Sequence, residues 1–500
     1  MLNLSAQLSF HARTRPQAEA LIYGESRLDW STLEQRVHQL AGGLSARGIG
    51  ADSIVGLVMK NSSAFIELIY ALSHVGAVCL PMNFRLSGEE IAYIANHAGV
   101  AMVVADAEFS AVLEGLDQPV LILDTAAQTD PRQALSGDPL VTPHPRAGDD
   151  LMRLMYTSGT TDRPKGVTHT YDNFHYKNMD MILSMHLTAQ DRLCMVGPLY
   201  HVGACDLPGM GVHMIGGTLV VLRDFDARQV VETIARERIT GIWLAPVMTS
   251  GILALARDDL PDLTTLRWCI GGGDRTPEAR IRDFGSVFPN GRYVDGYGMT
   301  ETVSGDTLME PGREIEKIGS VGRPVSMVEL EIRDDNGTSL PAGAVGEICM
   351  RGPKVTNGYW RDPERTAAAM HPDGFLRSGD MGYLDPDGFL FLTDRKKDMI
   401  ISGGENIASS ELERVLFLMP QVEDVAVIAK PDEKWGEVPM AVIVPQAGQT
   451  LTMEELDVFC RSHLAGFKCP KDMKLVSALP RNPSGKILKR VLRDEVLKDL

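Results

Sequence analysis

Five hundred residues allow about three folding units at roughly 150 residues per domain, and 44% hydrophobic with 23% charged residues is the texture of a globular chain, not a disordered or fibrous one. The formal net charge of −17 excludes an average basic surface able to displace the counterions of nucleic acid, so any phosphate must be handled locally. Residues 1–13 lack a basic segment followed by an apolar core, and no apolar run approaches the roughly 18 residues that span a bilayer, which predicts a cytoplasmic protein without a transmembrane segment.

Helix and strand patterns alternate from residue 29 onward. Ser31 and Glu34 stand at capping-box spacing ahead of Val37, Leu40 and Leu44 on one helical face. A continuous apolar strand follows at 54–59, then a helix through Phe65, Leu68 and Leu72, a strand at 78–80, a second box at Ser87 and Glu90, and a strand at 102–104. Apolar strands alternating with helices predict parallel sheets covered on both faces. The alternation resumes with strands at 193–196 and 219–222, a helix at 227–238, and strands at 242–245 and 266–270 before a triple glycine at 271–273, a second α/β layer. Between about 318 and 394 the texture turns to short strands with Asn336-Gly337, Asp373-Gly374 and Asp387-Gly388 turns, which predicts a small β-rich subdomain. Helices and strands return at 411–418, 425–428, 441–444 and 453–464. The expected division is therefore a large N-terminal α/β domain over 1–394, a hinge at 395–397 and a small mobile α+β domain over 398–500. Cys79, Cys194, Cys205, Cys269, Cys349, Cys460 and Cys469 include no C-x-x-C pair; strings such as Trp268-Cys269-Ile270 read as buried thiols, not as a disulfide framework or a zinc site.

The string with most chemistry is Tyr156-Thr157-Ser158-Gly159-Thr160-Thr161-Asp162-Arg163-Pro164-Lys165-Gly166, placed after an apolar strand. Glycine, serine and threonine offer backbone N–H groups and hydroxyls to phosphate oxygens, and Lys165 adds a point charge. It is not a P-loop, because the lysine precedes the second glycine and no hydroxyl residue follows it. Further strings follow in order: Pro198-Leu199-Tyr200-His201, Gly296-Tyr297-Gly298-Met299-Thr300-Glu301, Ser378-Gly379-Asp380, Asp394-Arg395-Lys396-Lys397-Asp398, Ser402-Gly403-Gly404-Glu405-Asn406 and Pro480-Arg481-Asn482-Pro483-Ser484-Gly485-Lys486. Taken together, over nearly the whole length, the chain resembles the adenylate-forming (AMP-binding) superfamily, which includes acyl- and aryl-CoA ligases, luciferases and carrier-loading adenylation domains.

The resemblance implies roles for particular residues. Thr157, Ser158, Gly159, Thr160, Thr161 and Lys165 would cradle the phosphates of ATP; Gly271, Gly272, Asp295, Gly296 and Tyr297 would hold adenine, with Tyr297 stacking on it; Thr300 would bond the α-phosphate and Glu301 would hold Mg²⁺. Asp380, assisted by Arg395, would bind the ribose hydroxyls. Lys486 would bridge the carboxylate and α-phosphate during in-line attack, and Lys397 would be the hinge about which the small domain turns between half-reactions. Coenzyme A ligases are the most similar branch: Arg85, Trp435 and Phe467 match positions that contact the coenzyme A nucleotide, and Gly403 and Gly404 would let backbone approach its pantetheine arm. His201 resembles an aromatic gate, and the small Gly203 and Ala204 beside it, with a Leu207, Met210 and Met214 stripe, suggest room for a bulky acid.

Three departures from the pattern stand out: Asp162 where the phosphate loop usually carries glycine, Asp274-Arg275 after the triple glycine, and Cys469 where some ligases carry arginine. The expected function is conversion of a medium- or long-chain fatty or an aryl carboxylic acid to its acyl-CoA through an acyl-adenylate, using ATP, Mg²⁺ and coenzyme A, with a homodimer as one allowed assembly. The alternatives are an acyl-AMP synthetase that loads a separate carrier protein, and a catalytically silent nucleotide- or acyl-binding protein.

Overall fold

The run Ile54–Val58 is buried at every residue and forms an inner strand of a six-stranded sheet, as a two-sided apolar strand must. A computed structural model describes residues 3–128, 130–157, 164–272, 278–395, 398–402, 405–432, 434–481 and 487–496, without the side chains of 278–279, 394–395 and 405–406. The strand order in that sheet is Val120–Leu123, Val100–Asp106, Ile54–Val58, Val78–Pro81, Leu151–Thr157 and Lys165–Thr170; all neighbours are parallel except the last pair, a hairpin. A nine-stranded sheet runs Arg323–Pro324, Thr307–Leu308, Arg292–Tyr297, Trp268–Gly272, Gly241–Leu244, Arg192–Met195, Thr218–Val221, Glu19–Tyr23 and Ser26–Asp29. Its central strands are parallel, and helices Ala227–Glu237 and Glu278–Val287 cover it through Val230, Ile234 and Phe284. The two α/β layers expected from the sequence are these two sheets.

Local chemistry sets the helix ends. Ser87 and Glu90 form the expected reciprocal capping box on Gly88–Ala98, and Gly99 ends that helix at φ +79°. The box expected at Ser31 and Glu34 does not form. Asp29 caps Trp30–Ala46 instead, its carboxylate accepting from the Thr32 N–H at 2.7 Å, so the helix starts one residue before Ser31.

The chain divides into two compact units, Met1–Glu329 with Met350–Leu376, and Leu330–Cys349 with Arg377–Leu500. The β-rich texture becomes a four-stranded sheet of Glu329–Arg333, Gly346–Arg351, Leu376–Leu384 and Leu390–Arg395, most of which lies in the second unit. The rest of that unit is a five-stranded sheet built on the long antiparallel pair Val422–Asp432 and Gly436–Pro445. Val425 and Val427 face a core with Leu412, Leu456 and Cys469, while Ala426 and Ile428 face Leu492 and Val496, the period-2 alternation of a strand covered on both sides. All seven cysteines are free and buried. Among the described residues no helix is long and apolar enough to cross a membrane.

Candidate active site

Arg192–Met195, Gly241–Leu244, Trp268–Gly272 and Arg292–Tyr297 run parallel, so whatever follows their carboxyl ends emerges at one edge of the nine-stranded sheet, where open α/β sheets bind ligands. That edge collects Pro198 to His201, Gly271 and the segment from Asp295 to Glu301. Register sets Gly271 beside Asp295 and Gly272 beside Gly296. Side chains are excluded here by packing: a Cβ on Gly271 would lie 2.0 Å from the Tyr293 hydroxyl oxygen, and one on Gly298 would lie 2.4 Å from the Gly305 backbone nitrogen.

Glu301 sits in the turn Thr300–Thr302 and is 4% exposed. Its Oε1 accepts from Lys165 Nζ at 2.7 Å and from the Tyr359 hydroxyl at 2.9 Å, and Lys165 Nζ also lies 2.7 Å from that hydroxyl. Burial, reinforced by the Glu301 charge, pushes the Tyr359 phenol far up, so it remains a donor at every working pH. Lys165 reaches the turn because hairpin register places it directly opposite Thr157, whose buried Oγ1 has no partner among the described residues. Thus Thr157, Lys165 and Glu301, three residues expected to handle ATP and Mg²⁺, stand at one place. Ser158, Gly159, Thr160, Thr161 and Asp162 lie outside the described residues.

The donor set suits a magnesium ion that arrives with its phosphates. Glu301 offers a carboxylate, and among the described residues no group of three His, Cys, Asp or Glu side chains is placed to cage a metal. Mg²⁺ characteristically takes one or two protein carboxylates and fills its octahedron with phosphate oxygens and water.

Beneath this turn lies a framework that no motif announced. Lys354, fully buried, lies 3.2 Å from the Asp306 carboxylate and 3.6 Å from Asp180, and it donates to the backbone carbonyls of Ser304 and Gly305. Asp180 also accepts from the Ser326 hydroxyl, and Thr302 donates to Asp306. These bonds hold Val303, Ser304 and Gly305 at φ +56°, +69° and +72°, left-handed backbone that a β-branched valine resists by about 1–3 kcal/mol. In sequence the three charged residues read as ordinary surface groups, because 126 positions separate Asp180 from Asp306 and 48 separate Asp306 from Lys354, and they share no local pattern.

Around His201 the outcome differs from the expectation. His201 caps the short helix Val202–Cys205, its Nδ1 accepting from the Gly203 N–H at 3.1 Å. The space beside the small residues is taken by Trp243: a Cβ on Gly203 would lie 3.2 Å from the indole, and one on Gly197 would lie 2.6 Å from it. The indole centroid is 6.3 Å from the His201 ring. The Leu207, Met210 and Met214 stripe is not a helical face, because Leu207 (φ −101°, ψ 96°) and Pro208 break the helix; Leu207 and Met210 are core.

In the second unit, antiparallel register sets Asp380 directly opposite Arg395, so the pair expected on one ribose is adjacent in the sheet. Trp435 and Phe467 are 47% and 46% exposed, each with the neighbouring lysine over its ring at 4.6 and 5.9 Å. In the first unit Arg85 is exposed, its guanidinium 5.6 Å from the Phe84 ring centre. Cys469 is core, its thiol against the Ala465 carbonyl. Lys397, Gly403, Gly404, Asp274, Arg275 and Lys486 lie outside the described residues.

Comparison with known proteins places this geometry. Residues 8–360 match the model of the AMP-binding enzyme family and residues 411–486 that of the AMP-binding enzyme C-terminal domain. The chain is 36% identical to a feruloyl-CoA synthase of Amycolatopsis sp. over 485 residues, 96% of each chain, and 34% identical to a long-chain-fatty-acid–CoA ligase of Mycobacterium tuberculosis over 508 aligned positions, 99% of each. Among solved structures it is similar to the o-succinylbenzoate CoA synthetase of Bacillus subtilis in complex with its acyl-adenylate intermediate (TM-score 0.89, 29% identity, 98% of each chain). The same enzyme in complex with ATP and magnesium ion gives a TM-score of 0.88 at 28% identity, covering 98% of this chain and 99% of the other.

Proposed function

Since the chain belongs to the AMP-binding enzyme family, we propose that it carries out an ATP-dependent acid–CoA ligase reaction on a fatty or aryl carboxylic acid. The carboxylate oxygen attacks the α-phosphorus, the α–β phosphoanhydride bond breaks and pyrophosphate leaves with its electron pair. The coenzyme A thiolate then attacks the acyl carbon of the adenylate, and AMP leaves as the thioester forms. Little covalent work falls to the protein; alignment and charge stabilisation do most of it.

The observation that carries this reading is the convergence of Thr157, Lys165 and Glu301 at the carboxyl edge of the sheet. In the proposal Lys165 and the Thr157 hydroxyl take phosphate oxygens, and Thr300 bonds the α-phosphate. Mg²⁺, when bound at Glu301, neutralises triphosphate charge. Asp295 and Tyr297 seat adenine, Asp380 and Arg395 the ribose, and Arg85, Trp435 and Phe467 the coenzyme A nucleotide. Lys486 stabilises charge at the reacting oxygens and Lys397 serves as hinge between 1–394 and 398–500. Seven free buried thiols, an acidic surface and cofactors of the cell interior support a cytoplasmic enzyme.

Pyrophosphate release from Mg-ATP, measured across acetate, octanoate, palmitate, benzoate and ferulate with and without coenzyme A, tests the reading. Sustained release that requires coenzyme A and one acid class is expected. A single burst without turnover assigns the adenylate to a separate carrier protein, and no release overturns the reading. Trp243 bounds the acid side in this proposal, so Trp243→Ala should shift the preferred acid to a bulkier one by about 10-fold or more in kcat/KM.

A further inference from the structure

Three buried side chains link the acid side to the nucleotide turn through one unbroken set of bonds. Asp206 directly follows the helix Val202–Cys205 that His201 caps. Arg153 meets it bidentately, Nη1 to Oδ1 at 3.0 Å and Nη2 to Oδ2 at 2.6 Å. The same guanidinium lies 3.1 Å (Nη2) and 3.3 Å (Nε) from His169 Nδ1, and His169 Nε2 lies 2.7 Å from the Thr300 carbonyl oxygen. Guanidinium only donates, so Nδ1 must accept; the ring proton is therefore on Nε2 and donates to Thr300. Asp206 and His169 are fully buried and Arg153 is 3% exposed.

We propose that Asp206, Arg153 and His169 are positioning residues that couple the seat of the carboxylic acid to the turn carrying Thr300 and Glu301. The proposal rests on the ligase reading above. Arg153 and His169 are register partners in the hairpin that ends at Thr157 and Lys165, so the relay also braces the phosphate-facing strands. A displacement of the acid-side helix moves Asp206, and each following link is a directional bond with no slack. Filling this interior with apolar side chains would avoid burying charge at all; the ion pair instead specifies one geometry for three elements. Burial alone would raise the Asp206 carboxyl, but Arg153 more than offsets it, while burial and then Arg153 hold His169 down at about 3, so the ring stays neutral throughout the working range. A second basic side chain, Lys177, which burial lowers to about 7, donates to the Asp206 backbone carbonyl.

The test uses the full-length enzyme and three variants. His169→Leu removes both bonds at similar volume, His169→Gln keeps an amide donor for Thr300 and an acceptor for Arg153, and Asp206→Asn removes the counter-charge of Arg153. Steady-state pyrophosphate release should show kcat down about 10- to 100-fold in His169→Leu with the KM for ATP changed less than about threefold. His169→Gln should recover most of the loss, and the double variant His169→Leu/Asp206→Asn should lose less than the product of its two single losses. An unchanged kcat in His169→Leu, equal impairment of the Gln and Leu variants, or strictly multiplicative losses overturns the relay. Should His169→Leu not fold, Asp206→Asn carries the test: kcat should fall about 10-fold or more with the KM for ATP changed less than about threefold, and an unchanged kcat overturns the relay. Absence of turnover by the unmodified enzyme with every acid is a different result, which removes the ligase reading and the coupling with it.

Discussion

The turn around Glu301 and the aromatic positions of the second unit are both proposed to bind ligand, yet they are built in opposite ways. Glu301 is 4% exposed and fastened to Lys165 and Tyr359 above a lattice of buried charge. Trp435 and Phe467 are about half exposed, each with an adjacent lysine over its ring. Stabilising charge at phosphorus requires dipoles already in place when charge develops, so those groups gain from rigid burial. A nucleotide that must arrive and depart in each cycle gains from open, stackable faces. The rigid half can be broken by single buried atoms, and the open half only by removing whole rings.

The largest effect should come from Lys486→Ala, which removes the one residue proposed to act on the reacting oxygens from outside the turn. Adenylate formation should fall on the order of 10³-fold, while a supplied acyl-adenylate plus coenzyme A still yields thioester. Equal loss in both half-reactions, followed by pyrophosphate release and thioester formation separately, would remove that assignment.

Next is Lys354→Met, which leaves Asp180 and Asp306 buried against each other without their cation. Breaking one partner of a buried charge cluster costs about 3–5 kcal/mol, read as a shift in the denaturant midpoint of the first unit. A cost under about 1 kcal/mol would mean that the framework does not hold the strained turn at Val303.

Acid should sharpen the contrast between the units. Burial lowers His74 and His213 to about 4, and burial with the Arg153 charge lowers His169 to about 3. Their folded pKa values lie below the ordinary value near 6.5, so between about 6.5 and 3 the unfolded chain binds more protons and stability falls as pH falls. All three belong to the first unit, whereas the second carries only the exposed His463. Proteolysis or hydrogen exchange as the pH is lowered from 7 to 5 should therefore loosen the first unit ahead of the second.

How much of this was legible in the sequence follows from the range of the interactions involved. Strands buried on both faces read as apolar runs, so Ile54–Val58 and its neighbours were found within two or three residues. Glu301, Lys165 and Asp380 are singled out in the sequence by the family strings they sit in, since read blind each string is an ordinary turn; the structure then brings Lys165 and Glu301 together. Lys354, Asp180 and Asp306, or Asp206, Arg153 and His169, meet only after folding, and each alone resembles a solvated charge. Trp243 was missed for the same reason: it fills the room that Gly203 left, from a strand 40 residues away. Two local signals in the sequence already point to what the structure shows. Pro208 inside the Leu207 to Met214 stripe signals a broken helix, and Asp29, a strong N-cap one residue before Trp30, outcompetes Ser31.

The smallest effect tests the open half. Trp435→Ala and Phe467→Ala each remove a stacking face worth about 1–3 kcal/mol per base by analogy with other nucleotide platforms, so the KM for coenzyme A should rise about 5- to 150-fold. Their exposure means that little packing is lost, and the melting temperature should move by no more than about a degree or two. The KM for ATP should hold, because the phosphate-facing turn has its own buried supports in the first unit. If either variant instead lowered stability while leaving the KM for coenzyme A alone, the aromatic side chains would be packing elements, and the contrast between a rigid nucleotide turn and an open acceptor face would fail on the acceptor side.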